Sequence, residues 1–456
     1  MSRLVRRARR ASRCRRLPAE ARNRLAEEFA AHLADAVKSY RDLGLSRLRA
    51  ERQALRDFGD PAPIRAGIDR AFTGRTFTLF PGSLSERLLS SAVGNLRSLL
   101  VIVAIVVLVR WQVVAAYHIP TKSMEPTLHG DPESGDMILV DKTYYRLHSP
   151  SRFEIAVFDR EGEDKSLVKR IVGLSGEEID IRDGDLFIDG VVVRKPRDVQ
   201  DELLVPVYAG GRDLLADLDG EERVGLAAWT ATGSWSRSDG SFRGSPDAGG
   251  TAVLAFRGEV TDDYPGGLPS GDALPVEDLV LSFRVRPAEG ATTVAALLRE
   301  RGDVYELSIP VGAGDAVIHR NKTEVARSPA TFLRPGEEVS VRFANLDDRV
   351  SAEIDGSERM AVAIDRARDM RRDGPPAEFA VAGGPAEFGG VGLWRDIYYR
   401  REGHLPFKVP VDCCYMLGDN SGNSQDSRSW GAVPVKRLIG RPVLVFWPLP
   451  RLKLVR

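Results

Sequence analysis

The stretch VSVRFANLDDRVSAEIDG, residues 339–356, carries apolar side chains at every second position: Val339, Val341 and Phe343, then Val350, Ala352 and Ile354. A strand sends successive side chains to opposite faces, so this spacing predicts two half-buried β-strands. The same alternation recurs at Leu281/Phe283/Val285 and at Tyr305/Leu307/Ile309. Turns rich in Gly, Pro and Asp separate the runs, as at Pro335-Gly336 and Asp355-Gly356. Short strands at regular spacing with polar turns predict an all-β sandwich over residues 203–402.

Flanking that region, residues 118–202 and 403–456 also read as β-rich. Met137–Val140 and Glu154–Phe158 are strand candidates. Ile179–Ile181 and Leu186–Ile188 flank Arg182-Asp183-Gly184-Asp185, a hairpin signal, and Asp189-Gly190 before Val191–Val193 is a second. Residues 18–75 read instead as helices. Leu25, Phe29, Leu33 and Val37 form one apolar stripe, which Leu48, Leu55 and Phe58 face from a second helix stopping at Gly59-Asp60-Pro61. His32 reads as an ordinary residue of an amphipathic helix. The fold class expected is mainly β, with an N-terminal α-helical segment.

The net charge of zero hides an asymmetry. Residues 1–97 hold 21 basic residues against 10 acidic ones, and the first sixteen contain eight arginines and no acid. Residues 1–17 read as a solvated basic tail beside a membrane rather than a nucleic-acid arm. Residues 93–117 contain SLLVIVAIVVLVRWQVVAAY, residues 98–117, whose run Leu99–Val109 is unbroken apolar. About 20 residues cross the roughly 30 Å hydrocarbon layer, so one transmembrane helix is expected, a buried helix of a soluble domain being the alternative. Trp111 and Tyr117 suit an interface, and Arg110 can snorkel. Basic residues upstream keep the N-terminus cytoplasmic and export the remainder. No apolar segment follows the first arginines, so the N-terminus does not read as a cleavable signal peptide. Three cysteines supply no disulfide framework: Cys14 is in the tail, and the adjacent Cys413 and Cys414 read as small buried hydrophobes.

Three blocks carry the chemistry. The first is IPTKSMEPTL, residues 119–128; the second LVKRIVGLSG, residues 167–176; the third GDNSGNSQDSRSWG, residues 418–431. Their order behind one apolar segment, with GDMILVDK at residues 135–142 between them, resembles type I signal peptidases. The resemblance covers roughly residues 99–200 and 403–446. It implies a β catalytic domain at 118–202 and 403–456, interrupted by a large inserted sandwich at 203–402. Two departures stand out: SPSRFE at 149–154, where the family usually shows Arg-Gly-Asp, and the lead Asp412-Cys413-Cys414-Tyr415 into the third block. Residues 339–356 also resemble laminin-G or concanavalin-like jelly rolls. Such folds take carbohydrate or protein ligands, or serve as spacers, and no ligand set stands out here. The helical module at 18–75 resembles one found on the cytosolic side of bacterial membrane proteins.

The signal peptidase resemblance implies a Ser–Lys dyad, with Ser123 as nucleophile and Lys169 as general base. A lysine serves as base only when neutral, so its amine must be moved down from about 10.4, and burial in the strand Leu167–Val172 is the expected cause. By the same resemblance Thr121 contributes its hydroxyl to the oxyanion site, Ser424 orients the lysine, and Met124 and Leu128 wall the substrate pockets. Asp426 and Arg428 form a structural ion pair, and Gly418 permits close packing. Arg170 reads as structural. No cofactor or metal is implied, and His118, His129 and His148 lack partners at ligand spacing. The partners implied are signal peptides and membrane lipid, at the bacterial inner membrane with the catalytic side outward, and no nucleic acid. Rival readings are another Ser–Lys protease, such as a pilus maturation peptidase or self-cleaving repressor, and a glycan-binding membrane protein on a degenerate protease frame.

Overall fold

The computed structural model describes residues 3–12, 19–42, 45–71, 113–162, 165–209, 212–213, 225–247, 249–265, 272–329, 332–364 and 374–455. The chain divides into two compact units, Met1–Trp111 and Gln112–Arg456.

The first unit is helical: α1 (Arg3–Ala11), α2 (Ala19–Asp42), α3 (Arg47–Asp57) and α4 (Pro61–Ala71). Its small core gathers Ala8, Leu33 and Ala54, with Phe29, Val37, Leu55 and Phe58 packed against them. Residues 3–11 are therefore helix and not open tail. With Ala8 and Ala11 fully buried, α1 has one apolar edge to pack despite its arginines. Leu48 departs from the expected stripe and is largely exposed; Ala50 and Ala54 take the buried positions of α3. Small side chains there let the helices approach. Asp60 accepts a hydrogen bond from Ala62 N–H at 3.0 Å, and Pro61 opens α4, where its missing N–H costs nothing.

Among the described residues no helix is long and apolar enough to cross a membrane. The run Leu99–Val109 lies outside the described residues. The C-terminal end of the expected span is corrected: Val114–Tyr117 belong to strand β1 (Val114–His118), which pairs antiparallel with β2 (Met137–Asp141), Tyr117 opposite Ile138. Cross-strand partners for this backbone replace the helical bonds the apolar pattern predicted.

In the second unit β1 and β2 open a sheet that continues through Leu438–Trp447 to β3 (Ile155–Phe158) and β4 (Leu167–Gly173), then to Cys413–Leu417 and Val433–Pro434. Every pair in it is antiparallel. Beside it, β5 (Glu178–Arg182), β6 (Asp185–Ile188) and β7 (Val191–Val192) form two tight hairpins. Their two-residue turns, Asp183-Gly184 and Asp189-Gly190, all have positive φ, as the Asp-Gly dipeptides predict. Cys413 and Cys414, adjacent on one strand, pack into different core clusters, Cys414 fully buried and its thiol pushed up to about 12 by burial. Both are free thiols.

Between Val205 and Arg395 the chain builds two further antiparallel sheets. Both send side chains into one core: Leu281, Phe283, Val285, Tyr305, Leu307, Ile309, Val339, Val341, Phe343, Val350, Ala352 and Ile354 are all in it. Phe343 pairs with Ala352 across Asp347-Asp348, a turn with positive φ at both residues. The alternation that marked these residues is the pleat itself: the same twelve side chains occupy the buried face.

Candidate active site

The first block follows β1 into a loop that Ile119 anchors, its N–H donating to Asp136 O at 2.9 Å. Ser123 sits in a short 3-10 turn, Lys122–Met124. Gly130 lies so close beneath that a Cβ there would stand 1.7 Å from Thr121 O. The third block closes the other side: Asn420 N–H donates to Ser123 O at 3.1 Å.

Lys169 reaches this loop from β4. Its Nζ lies 2.7 Å from Ser123 Oγ, and both side chains are buried. Burial pulls the amine down to about 8; Asp426 and Asp419 oppose the shift and Arg428 adds to it. The contact therefore joins positions 46 residues apart in sequence. Thr121 Oγ1 is 3.3 Å from Ser123 Oγ, on the exposed side of the loop.

The pleat of β4 explains how a basic neighbour is tolerated. Lys169 and Arg170 point to opposite faces, so the guanidinium serves a different set of partners. Arg170 is 0% exposed and grips Asp419 with two bonds, Nε to Oδ1 and Nη2 to Oδ2, each 2.8 Å. It also donates to Phe153 O at 2.7 Å and to Thr127 Oγ1 at 3.0 Å, and Thr127 in turn donates to Asp419 at 2.6 Å. One buried cation thus ties the three blocks together. Asp419 and Thr127 carry this tie and were assigned no role from the sequence; the available signal was an arginine inside an apolar strand, which requires a buried carboxylate. Phe153 stands where the resembled pattern has glycine, and it adopts φ 70°, a left-handed conformation unusual for a bulky residue. The bond from Arg170 to its carbonyl holds it there.

The remaining site residues divide into two groups. Asp426 and Arg428 form a buried pair, Nε to Oδ1 and Nη2 to Oδ2 at 2.8 Å each, and Asp426 also accepts Gly418 N–H at 3.1 Å. Gly418 is pressed against the Ser123 loop: a Cβ there would lie 2.2 Å from Ser424 Oγ and 2.5 Å from Ser123 O. Two expectations are not met. Ser424 Oγ is buried with no hydrogen-bond partner, so the bond to Lys169 implied by resemblance is not made. Met124 and Leu128, 1% and 0% exposed, sit in the core with Ile119, Ile138, Val140 and Ile155 rather than on an open wall. Packing accounts for both. Gly418→Ala is expected to shift Ser123 and cut turnover of a peptide substrate by about 10²-fold, the scale of an ångström of misplacement; steady-state kinetics on the folded variant measures it.

His129 Nδ1 lies 3.1 Å from Glu125 Oε1, while His118 and His148 are exposed. Among the described residues no group of three or more His, Cys, Asp or Glu is placed to hold a metal ion.

Comparison with known proteins gives a consistent picture. Residues 93–216 and 365–447 match the family model described as signal peptidase, peptidase S26. A probable signal peptidase I-2 of Synechocystis is 36% identical over 88 residues, 18% of this chain and 38% of that protein. Signal peptidase I of Bacillus amyloliquefaciens is 33% identical over 100 residues, 22% of this chain and 51% of that protein. The chain spans at most about half the length of these curated relatives. The solved carbohydrate-binding module CBM66 of Bacillus subtilis covers 36% of this chain and 94% of its own at 13% identity, with a TM-score of only 0.27. The matched segments, residues 93–216 and 365–447, carry all three blocks, and in them the chain is similar to the signal peptidase, peptidase S26, family.

Proposed function

We propose that the chain is a type I signal peptidase, a serine endopeptidase that releases exported proteins from their N-terminal signal peptides. One observation carries this reading: a buried amine, lowered to about 8, lies 2.7 Å from a serine hydroxyl. At pH 7 such an amine is neutral about a tenth of the time, against well under a thousandth for an ordinary lysine. Ser123 Oγ attacks the scissile carbonyl carbon as its proton passes to Lys169 Nζ. The resulting oxyanion takes hydrogen bonds from Ser123 N–H and Thr121 Oγ1. Lys169 then returns the proton to the departing amine nitrogen, leaving an ester on Ser123. Water, deprotonated by the same amine, attacks that ester and frees the carboxyl product.

In this reading the apolar run Leu99–Val109 anchors the enzyme in the bacterial inner membrane, with the catalytic side outward. Ser123 follows Tyr117 by only six residues. A cleavage site emerging from the bilayer therefore meets the nucleophile near the surface. The strands between Val205 and Arg395 are an insert in the catalytic frame, and most of them fall in the gap of the family match between 216 and 365.

Ser123→Ala is the test. Purified with its anchor in detergent, the variant is expected to leave a presecretory substrate uncut while the parent cleaves it at the signal junction. Cleavage by the variant at the parent's rate would refute the proposal.

A further inference from the structure

The strands between Val205 and Arg395 meet the catalytic frame at several places, among them the ion pairs of Asp347 with Lys195 and of Arg301 with Asp183, and the loop that follows Phe256. Val260 lies in the sandwich core, whereas Tyr264 packs against the cluster of Val172, Ile179, Tyr415 and Leu417 in the catalytic frame. The guanidinium of buried Arg395 covers the Tyr264 ring at 5.2 Å and donates to the carbonyls of Asp262 and Asp263, each at 3.0 Å. The loop is thus held by the sandwich through Val260 and Arg395 and meets the catalytic frame through Tyr264.

Between these anchors, Asp262 is 8% exposed and accepts Arg400 Nε at 2.6 Å, its other oxygen accepting Leu274 N–H at 2.8 Å. Arg400 leads back into the third block. Its main-chain N–H donates to Ser421 Oγ at 2.8 Å, and its carbonyl accepts Arg428 Nη1 at 3.1 Å. Its guanidinium also lies over Gly422, where a Cβ would stand 3.2 Å from Nε. Ser421 accepts Arg428 Nη1 at its hydroxyl, 2.6 Å, and Nη2 at its carbonyl, 2.8 Å. Arg428 holds Asp426, and Asp426 holds Gly418 against Ser123 O.

We propose that Asp262 and Arg400 are positioning residues for the peptidase reaction, through which the inserted sandwich clamps the Ser421–Arg428 turn over the Ser123–Lys169 pair. The proposal rests on the peptidase reading above. It makes the insert part of the active-site support rather than a tethered passenger. The turn shields Lys169, so releasing it admits water and returns the amine toward its ordinary, higher value. The ascending limb of the pH–rate profile then moves to higher pH.

The test uses the full-length protein with four variants beside the parent. Asp262→Asn keeps the shape and an acceptor for Leu274 N–H but loses the carboxylate. Arg400→Met keeps the main-chain bonds and loses the guanidinium. Each is expected to lower kcat about 10-fold with KM changed less than about twofold, and to move the ascending limb alkaline. Arg400 Nη1 also donates to exposed Asp272 at 2.9 Å, so the double variant is expected to be no worse than Arg400→Met alone, which already removes the guanidinium that both carboxylates hold. Ser123→Ala, the fourth, fixes the baseline. Unchanged kcat and pH profile in both singles, or losses that simply multiply in the double, would overturn the clamp while Ser123→Ala leaves the peptidase reading intact. Continued cleavage by Ser123→Ala would remove both.

Discussion

Lys169→Met is expected to lower kcat/KM by about 10²–10⁴-fold while making the protein more stable. The two effects share one cause. A buried amine whose charged form is disfavoured is what the proposed reaction needs and what folding resists. The folded value of about 8 lies below the unfolded value of about 10.5. A base depressed in this way binds fewer protons folded than unfolded, so stability is lost as pH falls from about 10.5 to about 8 and stays flat below. At pH 7 the accumulated cost is about 3 kcal/mol. Methionine has a similar length, needs no solvation and removes that cost, less whatever the contact with Ser123 contributes. Denaturant unfolding at pH 7 and pH 10 measures it: the variant should be more stable than the parent at pH 7, and the gap should narrow by pH 10. A variant less stable than the parent at pH 7 would mean the amine is solvated or paired, contrary to the proposed role as a base.

Asp419→Ala is expected to cost about 3–5 kcal/mol, the range for breaking a buried ion pair by deleting one partner. Arg170 would keep Phe153 O and Thr127 Oγ1 but lose both strong acceptors, and Glu202, 3.6 Å away and only partly buried, is a poor substitute. Domains are stable by about 5–15 kcal/mol in all, so much of the margin goes. Because the tie joins all three blocks, cleavage should fall with stability. Adding Arg170→Met should recover much of the loss, since the stranded charge is then removed with its partner. Urea titration of the two single variants and the double measures the coupling; a double variant as unstable as the sum of the singles contradicts the account.

Lys169 and Arg170 together show how function sets a local conflict. Two adjacent cations in an apolar strand oppose both burial and each other, and the pleat resolves only the second problem. Arg170 is neutralised by Asp419, whereas Lys169 is left without a contacting carboxylate, the nearest acids acting only at a distance. That asymmetry separates a structural cation from a candidate base.

Sequence alone determined which face each strand buries, because side-chain period is a local property: Phe343 and Ile354 needed no partner to be read as core. It determined the Asp-Gly hairpins for the same reason, since positive φ is a preference of the residues themselves. By motif it also marked Ser123, Lys169, Asp426 and Arg428 as belonging together. Only the tertiary structure decided that Arg170 meets Asp419, 249 positions away, that Arg400 reaches Asp262, 138 away, and that Ser424 keeps an unbonded hydroxyl. It also turned Val114–Tyr117 from expected helix to strand. Local pattern reports what a residue turns toward the interior; which distant group waits there is set by how the sheets close.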